Sequence, residues 1–186
     1  FTGRGGYVFI GRDMLTLNDK GGLSPQRNLQ HLRELLRFCY ANNIETRLFL
    51  TPTHVFLVDF WGRLGHRPMW EDFRRQVLQI NAETAMEFER VPFELVGFDQ
   101  LSGVVDEPIY LTRDIDKAWF IDPVHFQPNL SQLIMAALWD SESEVGVRLS
   151  AENIEAYLEE VESLRKSFVR ANRELVEELN AKIVPR

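Results

Sequence analysis

The chain has 186 residues, a net charge of −7 and a hydrophobic fraction of 45%. These values indicate one folded domain, or one with a small appendage, and they argue against a disordered chain. Nucleic-acid partners are not expected, because phosphate contacts need clustered Lys and Arg and the sequence has no such cluster. The single cysteine, Cys39, excludes an intramolecular disulfide and a cysteine metal cluster.

Targeting and membrane signals are weak in this sequence. No apolar run reaches the roughly 18 residues that a membrane-spanning helix requires. No signal peptide is recognisable, but the chain begins at Phe1 and not at a methionine, so this says little about the natural protein. The residues themselves leave the compartment unknown.

The first elements in chain order are a short strand and a capped helix. Residues 7–10 form an apolar run between glycines, which predicts a short buried strand. Ser24 and Pro25 suit the N-cap and first position of a helix that ends near Asn42. Its predicted core face, set by helical spacing, consists of Leu29, Leu32, Leu35, Leu36 and Cys39.

The middle of the chain continues this alternation of helices and strands. Residues 44–51 predict a strand that Pro52 ends, and residues 55–61 predict a short helix or turn. Residues 69–86 predict a helix and residues 93–98 a second buried strand. Helices that alternate with buried strands are typical of a parallel α/β sheet.

The last third is predicted to be mainly helical. A short strand is expected at residues 109–111, a helix from Pro128, and a connector at residues 144–149. Apolar residues at intervals of three and four predict one long helix from Ser150 to about residue 184. Such a helix would span about 50 Å and would either cross the body or pair with another helix.

The Asp122-Pro123-Val124-His125 motif is the sharpest chemical feature. An aspartate three residues before a histidine can hold the Nδ1 proton of the imidazole and leave Nε2 free to accept a proton from a hydroxyl. In the plainer alternative, Asp122 caps a turn and His125 is an ordinary surface or core histidine. The spacing alone favours that alternative.

The residues around this motif favour the catalytic interpretation over the plainer alternative. Trp119-Phe120-Ile121, then Asp-x-x-His, then an amphipathic helix resembles the last block of the SGNH/GDSL hydrolase superfamily. Residues 28–138 also resemble, in helix and strand order, SGNH-like bacterial proteins linked to cell-surface polysaccharide acylation. In those proteins a leucine-rich helix, here 29–39, precedes a strand that ends in a proline, here 48–52.

The resemblance implies roles for the motif. Asp122 would be the orienting acid and His125 the general base of a serine esterase or O-acyltransferase, with a glycan ester or small-molecule ester as substrate. It also implies a periplasmic, extracytoplasmic or membrane-anchored location. We therefore expect a three-layer flavodoxin-like α/β domain over residues 1–149, with a long C-terminal helix over residues 150–186.

The chain departs from the family pattern at the nucleophile. No serine lies in a Gly-Asp-Ser-like turn after a strand, and Ser102 is only a weak candidate. The oxyanion glycine and the Gly-x-Asn-Asp block are also missing; Asn18-Asp19 lacks the glycine. We expect the nucleophile to lie upstream of Phe1. The rival hypothesis is a domain without catalysis that binds a partner or forms a homo-oligomer through its C-terminal helix.

A second candidate site follows the strand that ends at Pro52. Ligands of open α/β sheets bind at the carboxyl ends of the strands, so Thr53 and His54 are candidate substrate-binding residues. Alternatively, His54 caps the next helix. A metal bound by His54, Asp122 and His125 is a weaker alternative, and we expect neither a metal nor another cofactor.

Overall fold

The computed structural model describes residues 25–108 and 118–183, in which six helices and three strands are found. The helices are α1 (Pro25–Ala41), α2 (Val55–Arg63), α3 (Arg67–Glu87), α4 (Pro128–Trp139), α5 (Ile154–Ala171) and α6 (Arg173–Ile183). The strands are β1 (Leu48–Leu50), β2 (Leu95–Gly97) and β3 (Val147–Arg148). The strands expected at residues 7–10 and 109–111 lie outside the described residues.

The three strands form a mixed sheet in the order β1-β2-β3. β1 and β2 are parallel, as the sequence predicts, and Phe49 lies opposite Val96. β3 is antiparallel to β2, so the expectation of a wholly parallel sheet is wrong. Residues 144–149 were expected to be a connector, because a strand of two half-buried residues is too short to show a periodic pattern.

Gly146, just before β3, lies very close to side chains in and next to β2. Gly146 has a φ of +82°, and a Cβ there would lie 2.7 Å from Phe98 Cε1 and 2.7 Å from Val96 Cγ1. Only glycine avoids both the strained backbone and the steric clash. The turn into β3 therefore requires glycine at position 146, whereas the pairing of β3 with β2 depends on tertiary contacts.

Helix α1 packs against α3 with a narrower core face than its spacing predicts. Leu29, Leu36 and Cys39 are buried, but Leu35 is 56% exposed and lies with Phe38, which is 57% exposed, on the outer side. Leu35 was expected in the core, and this assignment is wrong. Five apolar residues span a wider arc of the helix than α3 covers.

Residues on the two sides of β2 belong to two different core clusters. Leu95 packs with apolar residues of α1, α3 and α5. Val96 and Phe98 pack with residues of α2 and α4, together with Phe168 and Val176 near the C-terminus. Because neighbouring strand residues point to opposite faces, helices cover both faces of the sheet. The architecture is a mixed α/β fold.

The C-terminal segment contains two helices and not the single long helix that the sequence predicts. α5 ends at Ala171 and α6 begins at Arg173. The N–H and the side-chain amide of Asn172 both donate to the Phe168 carbonyl, at 2.9 and 3.0 Å. Side-chain bonds of this kind compete with helix continuation. Phe168 in α5 and Val176 in α6 are both buried in the same core cluster.

Within the described residues, none of the helices combines the length and the apolar character needed to cross a membrane.

Candidate active site

The Asp122–His125 motif forms a narrow loop immediately before α4. Phe120 and Phe126 form an isolated antiparallel bridge that closes the loop. Inside this bridge the Ile121 N–H donates to the His125 carbonyl at 2.7 Å. Both ends of the motif are thus fixed by backbone hydrogen bonds, and the loop is held beside the core through the buried Phe120 ring.

The carboxylate of Asp122 contacts both the turn and the imidazole. One oxygen, Oδ1, accepts the N–H groups of Val124 and His125 at 2.8 and 2.9 Å. The other, Oδ2, lies 2.8 Å from Nδ1 of His125. Asp122 therefore caps the turn, as the plainer alternative proposes, and also holds the imidazole. The two interpretations are compatible because the carboxylate has two oxygens.

The charge of Asp122 is stabilised in this position. Partial burial by itself raises the pKa of the carboxyl. The hydrogen bonds from the His125 imidazole and from the two backbone N–H groups outweigh this effect, and the pKa lies below its ordinary value. An ionised carboxylate can only accept, so Nδ1 carries a proton and, in the neutral imidazole, Nε2 is the free acceptor. The His125 side chain is 68% exposed.

Glu107 anchors the segment that leads into the dyad. Its Oε1 accepts the Phe120 N–H at 2.8 Å, and its two oxygens share the Trp119 N–H at 3.0 and 2.9 Å. Burial raises the pKa of Glu107, and the backbone hydrogen bonds partly oppose that rise. Glu107 is not recognisable from the sequence as a supporting residue, since the mixed segment around it shows no periodic pattern and no motif.

His54 contacts Glu107 and Phe120 of this region and has a structural role. Its Nδ1 accepts the Phe56 N–H at 3.1 Å, which caps α2, and its Nε2 donates to the Glu107 carbonyl at 3.0 Å. Its ring stands edge-on to Phe120 at 5.4 Å. Burial lowers the pKa of His54 to about 4, although the Glu107 carbonyl and the charge of Asp106 favour protonation. The capping alternative is confirmed, and both nitrogens are engaged within the fold.

Thr53 belongs to a buried polar group at the carboxyl ends of β1 and β2, which we call the Asp99 cluster (Thr53, Arg74, Asp99 and Tyr157). The Thr53 N–H donates to Asp99 Oδ1 at 2.8 Å. Asp99 Oδ2 accepts Nε and Nη2 of Arg74 at 3.0 and 2.8 Å, and the Tyr157 hydroxyl at 3.0 Å. Thr53 itself is half-buried, and the other three side chains are buried.

The Asp99 cluster is satisfied internally, and it was missed in the sequence. Burial raises the pKa of Tyr157 well above its ordinary value, so its hydroxyl stays protonated and donates to Asp99. The position of Asp99, two residues after the end of a buried strand, was the available signal. His54 and Asp122–His125 are linked through Glu107 and Phe120, whereas Thr53 contacts Asp99.

The described residues do not complete a triad. Ser102 is exposed and its hydroxyl donates to Asp106 at 3.2 Å. Across residues 25–108 and 118–183, no serine is hydrogen-bonded to His125, and no group of three His, Cys, Asp or Glu side chains could hold a metal ion. No described serine is therefore paired with the Asp122–His125 contact.

No protein-family model, curated protein or solved structure matches this chain.

Proposed function

We propose that this chain supplies the acid–base part of an SGNH-type ester hydrolase or O-acyltransferase that acts on acylated glycans. The observation that carries the proposal is the 2.8 Å contact between His125 Nδ1 and Asp122 Oδ2, combined with a largely exposed imidazole. A carboxylate on Nδ1 and an accessible Nε2 are the two features that a general-base histidine requires.

The proposed reaction uses a serine outside this segment. His125 Nε2 accepts the serine proton while the serine oxygen attacks the ester carbonyl, and the imidazolium then returns the proton to the leaving alcohol. The acyl-serine bond is broken by water in a hydrolase or by a glycan hydroxyl in a transferase, with His125 again accepting the proton. Asp122 stays ionised throughout and stabilises the imidazolium.

The finer fold assignment is part of the same proposal. We infer that the described sheet is a portion of a three-layer flavodoxin-like sheet. The parallel pair β1 and β2 is connected through α2 and α3, and helices cover both faces of β2. β1 lies at one edge of the described sheet, and Phe49 on it is 39% exposed. A further strand, bearing the nucleophile at its end, would pair at this edge.

The test is ester hydrolysis by the complete native protein, whose amino-terminal extent is first set by intact mass. With a chromogenic acetyl ester, His125→Ala is expected to abolish turnover without changing the thermal unfolding temperature, because the imidazole is exposed. His31→Ala on the exposed side of α1 is the matched control and should retain full activity. An inactive complete protein, or an active His125→Ala variant, would refute the proposal.

A second candidate function is an interaction domain without catalysis, and one observation favours it. Leu35 and Phe38 form an exposed apolar pair one turn apart on α1. The C-terminal helix was the expected oligomer surface, but Phe168 and Val176 there are buried in the chain's own core. Replacing Leu35 and Phe38 by Glu should leave the sedimentation coefficient unchanged if the chain is a monomer. A lower coefficient would support the interaction domain.

A further inference from the structure

A basic pocket lies where α2, α5 and α6 meet, and neither Asp122 nor His125 is among its described lining residues. Its volume is about 440 Å³. Val169 and Val176 provide an apolar part of its wall, and Glu177 is the one acidic residue among the described residues that line it. The cationic lining residues are Arg63, Arg165, Lys166, Arg170 and Arg173. The pocket is unexpected in a chain with a net charge of −7.

The cations outnumber the carboxylates that contact them. Asp59 contacts both Arg63 and Arg165. Glu162 contacts both Arg165 and Lys166, and it is also bound by Arg67 from outside the pocket. Glu177 contacts Arg173 at 3.0 Å. There are thus three carboxylates for five lining cations, which leaves an excess of two positive charges among these eight residues.

Part of this cationic wall is fixed in place before any ligand arrives. Arg165 donates to both oxygens of Glu162, at 2.7 and 2.8 Å, and to the buried Asp59. The hydrogen bond from Arg165 and the charges of Arg165 and Arg67 lower the pKa of Glu162 to about 2, against the effect of burial. Glu162 therefore stays ionised at neutral pH, and Arg165 cannot turn away from the pocket without breaking three hydrogen bonds.

Arg170 completes the pocket with an uncommitted charge. Within the residues that the structure describes, its guanidinium contacts no carboxylate, and the side chain is exposed at the pocket wall. An unneutralised guanidinium that lines the same pocket as a fixed one is suited to a planar or tetrahedral oxyanion, because each group donates in a fork geometry.

We infer that this pocket binds the phosphate group of a small phosphorylated molecule, such as a sugar phosphate. A phosphate monoester carries about −1.5 to −2 charges at pH 7, which matches the excess of two positive charges. The volume exceeds that of a bare anion and lies within the roughly 300–1,000 Å³ typical of small-molecule sites. The wall formed by Val169 and Val176 offers an apolar surface to the organic part of the ligand.

The test is direct binding to the full chain, which needs no catalytic readout. Glucose 6-phosphate, inorganic phosphate, glucose and glucuronate are titrated separately, with amide chemical shifts of Val169 and Val176 as the site-specific signal. We expect saturable binding of glucose 6-phosphate that weakens as salt is added, with no binding of glucose. Glucuronate, which offers one carboxylate, should bind at least about tenfold more weakly.

Two variants separate the site from general electrostatics. Arg170→Gln should weaken glucose 6-phosphate binding about tenfold with no loss of stability, because the guanidinium has no carboxylate partner to abandon. The matched control is Arg90→Gln, on the exposed loop after α3, where binding should be unchanged.

Three results would overturn the inference. They are the absence of saturable glucose 6-phosphate binding, an equal loss in Arg90→Gln, and glucuronate binding as tight as that of the phosphate. None of these results depends on the serine or on His125, so the pocket can fail while the proposed esterase function stands, and the reverse also holds.

Discussion

The buried imidazole of His54 gives the most quantitative prediction. His54→Asn keeps a side-chain acceptor for the Phe56 N–H but removes the Nε2 donor to the Glu107 carbonyl and most of the ring packing against Phe120. At pH 7 we expect the free energy of unfolding to fall by about 2–4 kcal/mol, from an unsatisfied buried carbonyl and lost apolar contact.

The same substitution should change how stability depends on pH. The pKa of His54 is about 4 in the folded chain, against an ordinary value of 6.5. Between these values the unfolded chain binds a proton that the folded chain does not, so stability is present above pH 6.5 and is lost as pH falls towards 4. A difference of about 2.5 pKa units corresponds to ~3 kcal/mol. His54→Asn lacks this loss, so its deficit should shrink by that amount between pH 7 and pH 4.

Urea unfolding of the two proteins at pH 7, 5.5 and 4 measures this effect, and His31→Asn on exposed α1 is the matched control. The control should differ from the unmodified chain by less than ~0.5 kcal/mol at every pH. A deficit in His54→Asn that is the same at pH 7 and pH 4 would show that the imidazole is not held neutral by burial. An NMR titration of His54 with a midpoint near 6.5 would show the same.

Substitutions at three further positions test the contacts beneath the site by urea or thermal unfolding. Glu107→Ala leaves two backbone N–H groups without their acceptor and should lower the free energy of unfolding by ~2–4 kcal/mol. Glu107→Gln keeps an acceptor and should lower it by less than half of that amount. Because burial raises the Glu107 pKa, stability is highest below its ordinary pKa and is lost as pH rises through the raised value; Glu107→Gln should remove this dependence. Gly97→Ala places a Cβ 2.6 Å from the Tyr157 ring and should cost ~1–3 kcal/mol; an unchanged melting temperature would contradict this packing. Asp99→Ala leaves Arg74 buried without its carboxylate and should cost ~3–5 kcal/mol; a loss below ~1 kcal/mol would contradict the buried ion pair.

The helices were predictable because their signals are local. Proline at the first position marks α1 and α4, and the apolar spacing along α3 agrees with its buried Trp70, Val77 and Ile80. The break between α5 and α6 was not predictable from spacing, since Asn172 lies within a continuous apolar period. The end of α5 is set by hydrogen bonds of Asn172 and by burial of side chains on both helices.

The candidate site likewise has one contact that is local in sequence and others that join distant parts of the chain. Asp122 and His125 are three residues apart, and local geometry alone allows their contact. The contacts of His54 with Glu107 and of Thr53 with Asp99 join residues about fifty positions apart. Such contacts follow from the order of the strands and the path of the chain between them, which no short motif encodes. The polar residues that support the site were therefore the ones missed.

A final prediction separates the two roles of Asp122. Asp122→Asn keeps a side-chain oxygen that can accept the Val124 and His125 N–H groups, so the turn should survive and stability should fall by less than ~1 kcal/mol. The amide nitrogen, however, faces Nδ1 as a donor. It favours the tautomer that carries its proton on Nε2, and that tautomer cannot accept a proton from a nucleophile.

In the complete protein, ester turnover by Asp122→Asn should therefore drop by about 10³–10⁴-fold while the melting temperature changes little. Asp122→Ala loses the turn as well, so the difference in stability between Asp122→Ala and Asp122→Asn shows what the turn contributes. If Asp122 serves only to cap the turn, Asp122→Asn will retain the ester turnover of the unmodified protein. The tautomer of His125, which nitrogen-15 NMR of the imidazole reports directly, then decides whether the carboxylate orients a base or only shapes a loop.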